Sequence, residues 1–126
     1  MRSLVLVCLT IAMVGCSSSD KPKLVSVKGT VTMDSKPLTA GSINFYPDAS
    51  NAYTKDKPSS LLQLDGSFVV KTYPFGDGVS PGKYKVTLSP ELASRIKRPK
   101  YGKPEDTPWS LDVSDSGITD LKLEVK

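Results

Sequence analysis

The chain contains no histidine. That absence alone excludes a Ser-His-Asp or Cys-His catalytic unit and every histidine-ligated metal site. Cysteine is nearly absent as well, with 2 in 126 residues, at positions 8 and 16. Beyond residue 16 no thiol remains, so packing rather than disulfide cross-links must hold the fold together. Long apolar runs are missing too: residues 4–14 form a run of eleven, against the roughly 20 residues that a membrane-spanning helix needs.

What is present fits one small domain behind a leader. A mass of 13.6 kDa leaves no room for two cores. Hydrophobic residues make up 38% and charged ones 24%, with 10 Pro and 9 Gly, which is too apolar for a disordered tail and rich in chain punctuation. Met1-Arg2-Ser3 places one positive charge ahead of the apolar run, and the sequence turns abruptly polar at Ser17-Ser18-Ser19-Asp20. This is the layout of an export signal. Residues 17–23, made of serine, charge and proline, suit a short flexible spacer.

Period-2 alternation then dominates. Val25, Val27, Val31 and Met33 face one way and Ser26, Lys28, Thr30 and Thr32 the other, which predicts a half-buried strand. Gly29 falls on its inward face, where a missing side chain signals a bulge or the close approach of a neighbour. Asp34-Ser35-Lys36-Pro37 is turn chemistry, and a second strand is expected over 42–46, stopped by Pro47. Residues 48–58 read as a surface loop. Asp65-Gly66 between the apolar runs 61–64 and 68–70 predicts a hairpin. A Gly- and Pro-dense loop over 73–82 precedes a strand carrying Tyr84, Val86 and Leu88, and Ser89-Pro90-Glu91 suits the start of a single helical turn reaching Ser94. Residues 95–108 are irregular, and 109–113 and 118–125 read as closing strands. The expectation is an all-β fold, a seven-stranded antiparallel β-sandwich, with Phe45, Phe68, Tyr84 and Trp109 as the large members of its core.

Two resemblances sharpen this reading. Met13-Val14-Gly15-Cys16 resembles the lipobox of bacterial lipoproteins, with Met13 where Leu is usual. The resemblance implies a signal peptide over 1–15, lipid on Cys16, a spacer completing 16–23, and a domain over 24–126. Diacylglycerol and a further acyl chain on Cys16 would exceed the two hydrophobic anchors that stable membrane attachment requires. The domain itself resembles the carboxypeptidase regulatory-like domains, which have a transthyretin-like (prealbumin-like, Greek-key) sandwich. The matching residues are Val27-Lys28-Gly29-Thr30-Val31, Lys36-Pro37-Leu38, Gly41-Ser42-Ile43-Asn44-Phe45-Tyr46-Pro47 and Asp65-Gly66-Ser67-Phe68. The later half adds Gly76-Asp77-Gly78, Pro81-Gly82-Lys83-Tyr84-Lys85-Val86, Pro99-Lys100-Tyr101 and Thr107-Pro108-Trp109-Ser110-Leu111, in the family's order. Ser35 departs from it, standing where Gly is more usual.

Such domains are accessory modules without catalytic residues of their own. The resemblance therefore implies a non-enzymatic, lipid-anchored module of the cell envelope, without cofactor, its partners being the membrane through the anchor and an envelope protein or polysaccharide. The alternative is a carbohydrate-binding module using the loop aromatics Tyr46, Tyr53, Tyr73, Phe75 and Tyr101. Between residues 83 and 103 seven cations stand against Glu91 alone. Within that stretch Lys97, Arg98, Lys100 and Lys103 are the candidates for contact with an anionic surface, lipid or acidic polysaccharide, against the plainer reading of a solvated loop. Nucleic acid is not an expected partner of an exported protein, despite a pI near 9.1. Asp112, Asp115 and Asp120 offer oxygen ligands for calcium without the spacing of an EF-hand, against a solvated turn.

Overall fold

The computed structural model describes residues 21–126. In chain order its strands are β1 (Val27–Met33), β2 (Lys36–Pro37), β3 (Ser42–Pro47), β4 (Ser59–Leu61), β5 (Ser67–Val69), β6 (Lys71–Thr72), β7 (Gly76–Asp77), β8 (Gly82–Leu88), β9 (Ser110–Val113) and β10 (Ile118–Val125). A short helix α1 (Pro90–Arg95) and a 3₁₀ turn (Pro99–Gly102) lie between β8 and β9. The strands form two sheets. In one, β1 lies between β10 and the pair β5 and β2, and the other runs β7-β6-β4-β3-β8-β9.

Alternation decides which faces meet. Val27 and Val31 of β1, Ile43 and Phe45 of β3, and Val86 and Leu88 of β8 are completely buried, while Lys28 next to Val27 and Lys85 next to Val86 are exposed. Phe68, Val70, Val79 and Tyr84 complete the middle of the core. Phe45 and Tyr84 pack with ring centroids 5.7 Å apart.

Gly29 shows why β1 carries a residue without a side chain. The register with β10 shifts between Val27 and Gly29, and a Cβ on Gly29 would stand 1.9 Å from the Leu121 carbonyl oxygen. The bulge and the close approach expected from the alternation are both there.

Several expectations need correction. The described residues form ten strands rather than seven, because β2, β6 and β7 are two residues long and leave no alternation to read. The sandwich is mixed rather than antiparallel: β1 and β10 run parallel, with Val31 beside Leu123 and Met33 beside Val125. Alternation fixes a strand's faces and not its direction. Trp109 is only half-buried. Its ring meets Tyr101 edge-on at 4.8 Å, and it is Tyr101, from the irregular region, that is buried in the core. Helix α1 and the 3₁₀ turn fold back over the end of β8, burying Leu92, Ala93 and Tyr101.

The Asp65-Gly66 turn forms, with Gly66 at φ +77°, but its arms are splayed. Gln63 N–H donates to the Ser67 carbonyl at 2.9 Å, and the ladder resumes only at Ser59 and Lys71. Between these points Leu61 stands opposite Val69, and the Ser60 hydroxyl sits in the gap. It accepts from Val69 N–H at 3.2 Å and donates to the Leu61 carbonyl at 2.9 Å. The opening arises because residues 67–72 serve both sheets: Phe68 pairs with Gly29 of β1, whereas Lys71 pairs with Ser59 of β4.

Candidate functional site

The expected export leader and the expected lipidation site, Cys16, lie outside the described residues. The basic residues singled out from the sequence do not form one patch. Lys83 and Lys85 belong to β8, where Lys83 faces Asp112 across the ladder and Lys85 donates to the Ser110 hydroxyl at 2.7 Å. They line a cleft with Asp48, Tyr84 and Leu111. There the Ser50 hydroxyl and backbone N–H hold the Asp48 carboxyl below its ordinary value.

Lys97, Arg98, Lys100 and Lys103 are all exposed on the segment joining α1 to β9. Burial of Leu92, Ala93 and Tyr101 fixes that segment to the sandwich. Arg98 donates to the carbonyls of Lys126 at 3.2 Å and Lys97 at 3.1 Å, and neighbouring Arg95 to those of Thr39 at 3.0 Å and Ala40 at 2.9 Å. The Lys100 ammonium rests over the Tyr101 ring, 5.6 Å from its centroid. Carbonyls orient the Arg95 and Arg98 guanidiniums, and a ring orients the Lys100 ammonium. The ion pairs found among the described residues, Lys23–Asp115 at 3.3 Å and Lys71–Asp77 at 3.8 Å, involve none of them.

The parallel pairing of β1 and β10 places this ridge. The chain comes into the sandwich beside the start of β10, where Lys23 meets Asp115 and Val27 pairs with Ile118. The ridge sits at the other end of the same strands, where Lys126 N–H donates to the Tyr101 hydroxyl at 3.0 Å and its carbonyl accepts from Arg98. The seven residues of β1 separate the two ends, roughly 20 Å at strand rise.

The aspartates considered for calcium are not brought together. Asp112 faces Lys83, Asp115 pairs with Lys23, and Asp120 is exposed on β10. Among the described residues no group of three or more carboxylates or thiols is placed to hold a metal ion.

The five candidate aromatics separate clearly. Tyr101 is buried; Tyr46, Tyr53 and Phe75 are half-buried, with the Lys57 ammonium 4.6 Å from the Tyr46 centroid and the Tyr53 hydroxyl donating to the Asp56 carboxylate. Tyr73 alone of the five is open to solvent, at 88% exposure. It lines a cleft of about 550 Å³ on the outer face of the splayed hairpin. Sequence reasoning missed this cleft, because the run 61–64 reads as core whereas Leu61 and Leu64 point outward, 73% and 91% exposed.

No protein-family model matches the chain, and no curated protein matches it. Among solved structures, a DUF3823 family protein from Parabacteroides merdae aligns at 20% identity with a TM-score of 0.47, over 82% of this chain and 46% of that one. The aligned region thus amounts to less than half of that protein's length.

Proposed function

We propose that the protein is an exported, lipid-anchored, non-enzymatic module of the cell envelope, a sandwich of the transthyretin-like type attached through Cys16. In this reading it holds its basic ridge toward an anionic envelope component on the side away from its anchor. The observation that carries the reading is the polarity of the sandwich: the chain arrives at one end of β1, and Lys97, Arg98, Lys100 and Lys103 stand at the other. A module tethered through residues 17–23 would present those cations outward rather than to the headgroups beneath it. Orientation of Arg98 by carbonyls and of Lys100 by the Tyr101 ring lowers the entropy lost when an anion binds.

The test has two arms. Radioactive palmitate should label the wild-type chain, and Cys16→Ala should abolish the label; persistence of label in the variant would remove the anchor from the reading. The Cys16→Ala chain, without the lipid that would hold it in any membrane, should also be retained on isolated envelope of its native host at low salt, with retention falling as salt rises. Changing the four ridge cations together to alanine should release it, and unchanged retention would remove the ridge.

A further inference from the structure

We propose that the cleft on the outer face of the β4–β5 hairpin, with Tyr73 at its rim, binds a neutral saccharide. The site is separate from the ridge and depends on neither the ridge nor the anchor.

Three observations converge on that ligand. The large hydrophobic side chains most exposed on the described surface are Leu61, Leu64, Val69 and Tyr73, all within residues 61–73, and Leu61, Val69 and Tyr73 line the cleft. Elsewhere among the described residues the large apolar groups are buried or half-buried, so this concentration is an exposed patch of the kind that marks a binding surface. Second, the patch is interleaved with hydrogen-bonding groups: Gln63 and the hydroxyls of Ser60 and Ser67 border the Leu61–Val69 centre, with Lys71 and Asp77 beside Tyr73. Third, the charges cancel. The Lys71 ammonium lies 3.8 Å from the Asp77 carboxylate, so the charges lining the cleft sum to zero.

A pyranose ring matches these features. Its axial C–H face packs on an aromatic ring or an aliphatic side chain, and its equatorial hydroxyls both donate and accept. The cleft has the volume of an ordinary small-ligand site. The competing occupants fit less well. An acidic polymer finds no net positive charge there. An acyl chain would leave Gln63, Lys71 and Asp77 facing hydrocarbon. An added peptide strand finds no free ladder edge, since the gap between the arms is one residue pair long and already holds the Ser60 hydroxyl.

The experiment uses the full chain in detergent micelles, incubated with chitin, cellulose and starch granules, and reads the fraction retained and its release by the matching soluble hexasaccharide. Retention on at least one polysaccharide is expected. Tyr73→Ala should weaken it about tenfold, while Tyr73→Phe keeps the ring and keeps binding. Tyr73 touches no core residue closely enough to bury it, so the thermal midpoint of Tyr73→Ala should match wild type, separating lost binding from lost folding. The ridge alanine variant should be retained as wild type. Absence of retention on all three polysaccharides overturns the proposal, as does retention that Tyr73→Ala leaves intact. Weaker retention of the ridge variant would show charge rather than sugar recognition and would overturn it equally.

Discussion

Gly29 and Tyr84 show how single residues carry the sandwich. At Gly29 the bulged β1 brings its α-carbon against the backbone of Leu121, so even a methyl group must push β10 outward. Gly29→Ala is expected to destabilise the protein by about 1–3 kcal/mol, the usual range for overpacking a close-packed site, measured as a shift in the urea midpoint at constant slope. A midpoint within error of wild type would mean that β10 yields freely. Tyr84 acts through protonation. Burial pushes its phenol up from 10.0 to about 12, and its hydroxyl donates to the Ser80 carbonyl. In the unfolded chain the phenol ionises near its ordinary value, whereas in the folded protein it stays neutral. The stabilising contribution is therefore complete below pH 10 and is lost as pH rises from about 10 to about 12. Urea melts across that window should show wild type losing stability faster than Tyr84→Phe, by on the order of 2 kcal/mol. Parallel curves would show that Tyr84 ionises normally. Both residues were legible in the sequence, Gly29 from its place in an alternating run and Tyr84 as an inward aromatic, because each sits in a long strand where the period-2 rule has enough residues to act.

At the scale of elements legibility falls with length. β1, β3, β8 and β10 were found nearly to their ends, and the single helical turn after Ser89 was found at Pro90–Arg95. Two-residue strands, by contrast, are made by their neighbours: β7 exists because Thr72 pairs with Gly76 across the tight turn at Phe75, and no local pattern announces that. The hairpin is the instructive case. Asp65-Gly66 correctly signalled the turn, whose geometry is reinforced by the Ser67 side chain and backbone N–H, which hold the Asp65 carboxyl below its ordinary value of 3.8. Beyond the turn, tertiary structure decides the path of the chain. The second arm is claimed by β1 at Phe68 and by β4 at Lys71, so the arms separate at Leu61 and Val69, and the cleft exists only because two sheets compete for one strand. Its lining is dispersed over nineteen positions, from Ser59 to Asp77, and no spacing motif joins it. Tyr73 was in view as one loop aromatic among five, and only burial distinguishes it from the others.

For the whole molecule, the decisive feature is the direction of β10, which alternation could not supply. Had β10 run antiparallel to β1, Lys126 and the ridge bound to it would lie beside the point where the chain comes in. Because the strands are parallel, the ridge lies at the far end. With lipid on Cys16, as proposed, this makes a geometric prediction. On vesicles of phosphatidylglycerol, Lys97, Lys100 and Lys103 should react with an amine-acylating reagent as fast as they do in detergent, while Lys21 and Lys23, next to the tether, should be slowed. Strong attraction between anionic headgroups and the ridge works against this arrangement over a Debye length of about 8 Å. The end-to-end separation of roughly 20 Å exceeds that length, so an upright domain keeps its ridge out of reach of the membrane that holds it. A flexible spacer over residues 17–23 would nevertheless be long enough for the domain to tip over. The comparison therefore decides between two orientations of the same fold. Equal labelling of the ridge on vesicles and in detergent fits an outward-facing contact surface. Ridge lysines protected on anionic vesicles and released by salt would mean that the domain lies on its own membrane, and the outward-facing role would then be wrong even with the anchor in place.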